Sequence, residues 1–195
     1  MSQLFVVEHL EPRLSKWVLI EYEHASLIVG KDNLAFTNVK KGFKTLEKLG
    51  KVYRESATEL FDNERVIVLD PKADKLLEPS DFDNVESVVV GGILGDHPPR
   101  GRTFALITSK MRRARARSLG NRQFSIDGAI YMALKVAQGV KLSDIPVADS
   151  LTLKCGNLEI YLPFSYPLVN GKPVICPKLI DYLLNTDIVQ VGFKN

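Results

Sequence analysis

The sequence predicts an α/β protein built on a mostly parallel sheet with helices over its faces. Two observations carry this. The runs at residues 66–69 (VIVL) and 85–90 (VESVVV) are short and rich in β-branched residues, as strands buried on both faces are. Around them lie segments with apolar residues at three- and four-residue steps, and strands that alternate with helices imply α/β layering.

In chain order, a first strand is predicted at residues 4–7 (LFVV). A helix follows, opened by Ser15 as N-cap and closed by Gly30. Leu14, Trp17, Val18, Tyr22, Ala25, Ile28 and Val29 form its apolar stripe. Glu21 falls on the same stripe, either at its margin or held inward for a reason. Residues 34–36 read as a strand, 43–49 as a short helix ended by Gly50, and 57–61 as another helical turn. The two β-branched runs stop at Asp70-Pro71 and at Gly91-Gly92. In residues 112–118 (RRARARS), Arg113, Arg115 and Arg117 alternate with small residues, which favours a strand whose arginine face lies outside an apolar core. A turn at 119–122 leads to a helix over 125–137, with Gly139 as its stop. Strands near 151–153 and 158–162, a proline-rich crossing and a helix around 177–184 complete the chain. With no internal repeat or linker, residues 1–195 are expected to form one domain.

Composition narrows the function classes. No stretch approaches the roughly 20 apolar residues a membrane span needs, and Glu8, Glu11 and Arg13 interrupt any export signal. A cytoplasmic protein is expected. Cys155 and Cys176 form no metal or disulfide pattern and read as small hydrophobic residues, while His9, His24 and His97 are too scattered for a metal site. The net charge is only +3, but residues 100–122 carry eight Arg or Lys and no acidic residue. That local excess points to an acidic or phosphate-bearing partner.

The densest chemical signal is the segment VGGILGDHPPR at residues 90–100. Three glycines in five positions, directly after a strand, let backbone lie close to a ligand, and Pro98 and Pro99 fix the exit of the chain. The segment matches neither the dinucleotide GxGxxG fingerprint nor the GxxxxGK[ST] phosphate loop, so NAD and ATP have no specific support. Two further strand ends, Leu69-Asp70-Pro71 and LGNRQF at 119–124, have the same polar, backbone-exposing character. In open α/β sheets ligands bind at the carboxyl ends of strands, so the three loops are expected to converge on one pocket.

VLDPKA, VVVGGILGDHPPRGRT and LGNRQFSIDGAI, with VVEHLEPRLSKWVLIEY, LPF and GKP, resemble one family of SPOUT-class α/β-knot methyltransferases. It is the family of the fungal protein arginine methyltransferase acting on a small-subunit ribosomal protein. The resemblance spans residues 5–184. It implies a SPOUT-like fold with a trefoil knot at the cofactor site, and S-adenosylmethionine bent in the knotted crevice. Leu69, Asp70 and Pro71 would form one wall. Gly91, Gly92, Ile93, Leu94, Gly95, Asp96 and His97 would form the floor. Leu119, Gly120, Gln123, Phe124 and Ser125 would form the other wall. Asp127, in the first turn of the next helix, either contacts the ligand or complements the helix dipole.

The resemblance implies methyl transfer to an arginine, with S-adenosylhomocysteine as product. A protonated guanidinium is a poor nucleophile, so a carboxylate should hold and help deprotonate it. The candidates are Asp96, Glu8 and Glu21, with His9 and Arg100 lining the acceptor side. The chain departs from the fungal pattern at RRARAR, where the fungal enzyme is mostly apolar. Arg113, Arg115 and Arg117 are therefore candidate substrate contacts, suited to ribosomal RNA or to a protein presented on RNA. A solvated edge strand protected by charge is the plain alternative. An RNA methyltransferase with the same pocket, or a non-catalytic RNA- or ribosome-binding module, are the competing functions. A monomer is expected in preference to a homodimer.

Overall fold

The computed structural model describes residues 3–95, 101–155 and 158–185. Its centre is a six-stranded, wholly parallel sheet. The strands are β1 (Leu4–His9), β2 (Leu34–Thr37), β3 (Lys51–Val52), β4 (Val66–Leu69), β5 (Ser87–Gly92) and β6 (Arg115–Arg117). They lie side by side in the order β3-β2-β1-β5-β4-β6. In the middle, Val6 sits opposite Val89 and Val7 opposite Val90. Because side chains alternate across a strand, Phe5, Val7, Phe36, Val88 and Val90 enter one apolar layer, and Val6, Ala35, Val68 and Val89 the other. Both faces are covered, which is why these strands lack a polar alternate.

The first layer is closed by α1 (Lys16–Val29) and by the helix that begins at Ile126. The second is closed by Ala57, Ile107 and Met111. Each large side chain buried there contributes about 1.5–3 kcal/mol. Ser15 caps α1 by accepting from the Val18 amide at 3.3 Å, and Gly30 ends it at φ +82°. The helix is buried on two sides: Val18, Tyr22, Ala25 and Val29 face the sheet, while Ile20 joins a separate cluster with Tyr166, Leu179 and Leu183. A buried face this wide reaches Glu21, which is only 3% exposed.

The short helices are α2 (Phe43–Leu46) and α3 (Ala57–Leu60). The predicted helix at 43–49 is thus shorter than expected. Gly50 passes so close to β2 that a Cβ there would lie 2.5 Å from the Leu34 carbonyl oxygen. A second difference concerns Gly91 and Gly92, which are the last rungs of β5, opposite Glu8 and His9, rather than the first loop residues. After a π-helical turn at Phe104–Thr108 and strand β6 comes α4 (Ile126–Ala137), capped by Ser125. β7 (Val147–Ala148), β8 (Leu151–Cys155), β9 (Leu158–Leu162), β10 (Tyr166–Val169) and β11 (Lys172–Pro173) precede α5 (Pro177–Asn185). β8 and β9 pair as a hairpin, and β11-β10-β7 form a small antiparallel sheet inside the expected proline-rich crossing. Pro167 and Pro173 donate nothing, but the Pro167 carbonyl still accepts from Val174 at 2.8 Å. Among the described residues no helix is long and apolar enough to cross a membrane.

Candidate functional site

Three chain segments at the carboxyl ends of β5, β4 and β6 enclose a cavity of about 390 Å³, within the usual size of small-molecule sites. Leu69, Asp70 and Pro71 line it from the first loop. Asp70 is buried and fully engaged: one carboxylate oxygen accepts from the Lys72 amide at 2.9 Å and the other from the Thr108 hydroxyl at 2.6 Å. It therefore braces this loop against the π-helical turn.

Gly91, Ile93 and Gly95 line the second segment. A Cβ at Gly91 would meet only side chains, the nearest at 3.4 Å, whereas one at Gly95 would collide with the Gln123 amide and the Phe164 ring. Gly92 and Leu94 do not line the cavity. Gly92 faces the Tyr22 hydroxyl and the Glu8 carbonyl, with no room for a Cβ. Leu94 donates its amide to Glu11 at 2.9 Å and accepts from Arg102 at 2.5 Å. From Gly91 to Gly95 the cavity takes every second residue, because along an extended segment alternate residues face one side. Asp96, His97 and Arg100 lie outside the described residues.

Leu119, Gly120, Gln123, Phe124 and Ser125 line the third segment. Gly120, at φ +94°, makes the turn that only glycine adopts freely. The Gln123 carbonyl accepts from Ser165 at 2.7 Å and anchors the loop to the C-terminal region. Sequence reasoning missed Lys72, Val90, Arg102 and Ala129, which also line the cavity, and Gly101, which at φ +66° lies directly under the Lys72 side chain. The GRT that ends the second motif was the one available signal for Gly101 and Arg102.

The remaining candidates serve the framework. The Glu8 carboxylate accepts from Thr37 at 2.5 Å, from Ser56 at 2.7 Å and from the Ala57 amide at 2.8 Å, on the sheet face opposite α1. It is 2% exposed and does not line the cavity. His9 meets Tyr22 at 2.9 Å, and burial holds its pKa below the ordinary value despite Glu11 and Glu8. Glu21 accepts from the Trp17 indole at 2.6 Å and from the Ile126 amide at 3.0 Å, so it ties α1 to the start of α4. Burial, then the neighbouring Asp127 charge, push its pKa up to about 8. Asp127 accepts from Ser125 at 2.6 Å and pairs with His24 at 2.6 Å, one layer behind the cavity wall. None of Glu8, Glu21 and Asp127 lines the cavity, and each already accepts hydrogen bonds inside the fold, Glu21 and Asp127 at the start of α4 and Glu8 beside β2 and α3. Sequence could show that these carboxylates are inward, but not that each has its donors already.

The arginine strip is committed in the same way. Arg117 chelates Asp81 at 2.6–2.8 Å, and Arg115 reaches the Asp81 carbonyl at 3.0 Å. Arg113 pairs with Glu64 at 2.8 Å. Arg115 and Arg117 thus share one carboxylate behind the strand, while Arg113 makes its pair on the surface and Arg112 stays exposed. Among the described residues no three His, Cys, Asp or Glu side chains are grouped to hold a metal ion.

The family model described as protein arginine N-methyltransferase SFM1-like matches residues 4–190. The chain belongs to the SFM1-like family. This SFM1-like chain is 32% identical over 205 residues to protein arginine N-methyltransferase SFM1 of Saccharomyces cerevisiae, covering 95% of this chain and 96% of the relative. The crystal structure of the yeast arginine methyltransferase SFM1 complexed with SAM superposes with a TM-score of 0.87 at 32% identity, covering 97% of this chain and 93% of that one. Dual specific Trm10 from Thermococcus kodakaraensis shares the fold alone, with a TM-score of 0.59 at 19% identity over 72% of this chain and 95% of that chain.

Proposed function

We propose that this SFM1-like chain is an S-adenosylmethionine-dependent protein arginine methyltransferase whose acceptor is an arginine of a ribosomal protein. The observation that carries the reading is the three-loop cavity, in a chain that matches the family from end to end of its sheet. The cavity fits the cofactor by its chemistry. Its walls are mainly apolar and glycine-edged, and Asp70 already has two donors, so no uncompensated carboxylate faces an adenosyl group. Leu69, Gly91, Leu119 and Phe124 would hold the adenosine, in the crevice the family's knot implies. When bound, the cofactor supplies a methyl carbon activated by a positive sulfonium.

The chain's own contribution is placement. β4, β5 and β6 fix three loops at one edge, and the Glu21 and Asp127 contacts hold the α4 end of the wall still, which is the entropic part of catalysis. The acceptor guanidinium must lose a proton as its nitrogen forms the new bond to carbon. Asp96, the residue after Gly95 on the cavity floor, is the carboxylate we assign to orient the guanidinium and draw off that proton. The RNA-methylating alternative rests on the arginine strip, where Arg115 and Arg117 are turned to Asp81 and away from the cavity.

Calorimetric titration with S-adenosylmethionine tests the reading, on the natural chain and on Gly91→Ala. Micromolar binding that weakens at least tenfold in the variant, at an unchanged melting temperature, is expected. Tritiated methyl transfer to arginine in ribosomal-protein fractions then follows, surviving nuclease treatment. Absence of binding at millimolar ligand overturns the proposal.

A further inference from the structure

Residues 40–54 carry Lys40, Lys41, Lys44, Lys48, Lys51 and Arg54 against a single acidic residue, Glu47. All six cations are exposed. None has a carboxylate at ion-pair distance among the described residues. They form one surface: Lys40 donates to the Arg54 carbonyl at 2.8 Å, Arg54 stacks 4.9 Å above the Phe43 ring, Lys44 lies on α2 and Lys48 in the turn that follows it. We propose that this surface is a docking plate for the phosphate backbone of structured RNA.

Three features select that partner. No residue of the plate is an exposed large apolar side chain, so nothing on it would enter a bilayer. Nor is any aromatic ring exposed there for a base to stack on, which favours backbone contact over single-strand binding. Five of the six cations are lysines, whose ammonium groups act as mobile point charges suited to a regular phosphate array rather than to bidentate carboxylate capture. Position gives the plate its use. Lys40 and Lys41 follow β2 and Arg54 follows β3, so they lie on the same carboxyl edge of the sheet as the cavity, with β1 between. Asn38, beside Lys40, donates to the His9 carbonyl at the end of β1 at 2.9 Å and joins the two regions rigidly. On the proposed methyltransferase reading, on which this placement relative to the acceptor rests, the plate would hold the RNA of a nucleoprotein particle while one of its protein arginines enters the cavity.

The test is fluorescence anisotropy with a labelled 20-base-pair RNA duplex over a salt series. The plate variant is Lys41→Glu, Lys44→Glu, Lys48→Glu. The control is Lys31→Glu, Lys75→Glu, Lys141→Glu, with the same change in net charge at other exposed lysines. The plate variant is expected to lose at least tenfold in affinity at about 50 mM salt and to flatten the log–log salt slope by about 2–3. The control should stay within threefold. Equal losses in both variants, or no duplex binding by the natural chain, overturn the plate. So does polyglutamate that competes as well as the duplex at matched charge, since an acidic protein would then be the partner. S-adenosylmethionine titrations on all three proteins report the cavity separately. Duplex binding without cofactor binding would sink the enzyme reading and leave the plate standing, and the converse would do the opposite.

Discussion

Residues 100–122 and residues 40–54 are both strongly basic, and they differ in where their charge goes. In the first, Arg102, Arg113, Arg115, Arg117 and Arg122 have acidic partners drawn from elsewhere in the chain, Glu11, Glu64, Asp81 (shared by two) and Asp149, and of the described cations Lys110 and Arg112 alone make no ion pair. In the second no such partner is present among the described residues. Counting charges along a sequence ranks the arginine strip as the more basic region. Pairing in space reverses the ranking. A half-buried strand such as β6 must neutralise its guanidinium groups, whereas an exposed crossover such as α2 can leave its ammonium groups to water.

Asp81→Ala puts that difference to the hardest test. The Arg117 guanidinium, half-buried, would lose its chelating partner, and stability should fall by about 3 kcal/mol. Lys44→Ala should change stability by less than about 0.5 kcal/mol. Urea melts that show equal effects would erase the distinction. Asp81 also has an acid signature. Burial alone would raise its pKa, but the Arg117 hydrogen bonds, the Glu78 amide and the two arginine charges hold it below its ordinary value. Its contribution is present above the unfolded pKa and is lost as pH falls through the folded one, so the variant should lack that part of the acid loss below about pH 4.

The two adjacent glycines sharpen the same division between framework and site. Gly92→Ala should cost roughly 2 kcal/mol, because its methyl would strike Tyr22 and the Glu8 carbonyl. Gly91→Ala should cost under about 0.5 kcal/mol and weaken cofactor binding instead, a contrast that paired melts and titrations check. Among the carboxylates, Glu8→Ala should lower stability by about 1.5 kcal/mol through its stranded donors. Methylation per folded molecule should stay within threefold of the natural chain. A loss of turnover beyond a hundredfold, at intact stability, would return Glu8 to the reaction.

The smallest effect concerns Glu21. Its folded pKa of about 8 stands above the unfolded 4.5, so its contribution is complete below about pH 4.5 and is lost progressively as pH rises to about 8. Glu21→Gln should flatten the decline of Tm across that window in a buffer series. An unchanged slope would mean that Glu21 is ionised throughout.

The parallel sheet was legible in the sequence because β-branched runs buried on both faces leave no polar alternate, and Ser15, Gly30 and Ser125 mark helix ends by local chemistry. The cavity loops were legible from Asp70-Pro71, Gly91 and Gly120, whose backbone demands are local too. What was not legible depends on partners distant in the chain. Nothing near Glu8 shows that Thr37 and Ser56 saturate it, and nothing near Arg117 shows that Asp81, 36 residues away, receives it. β10 and β11 were missed because prolines mask short strands whose pairing is set by neighbours.

The strand order β3-β2-β1-β5-β4-β6 also sets a timetable for synthesis. β1 leaves the ribosome with one of its two neighbours, β2, about 25 residues behind it, but the other, β5, begins almost 80 residues after β1 ends. At about 5–20 residues per second, one edge of β1 waits roughly 4–16 s for its partner. In that interval α1, translated soon after β1, can cover one face of the half-sheet, while the edge that receives β5 stays open until β5 is made.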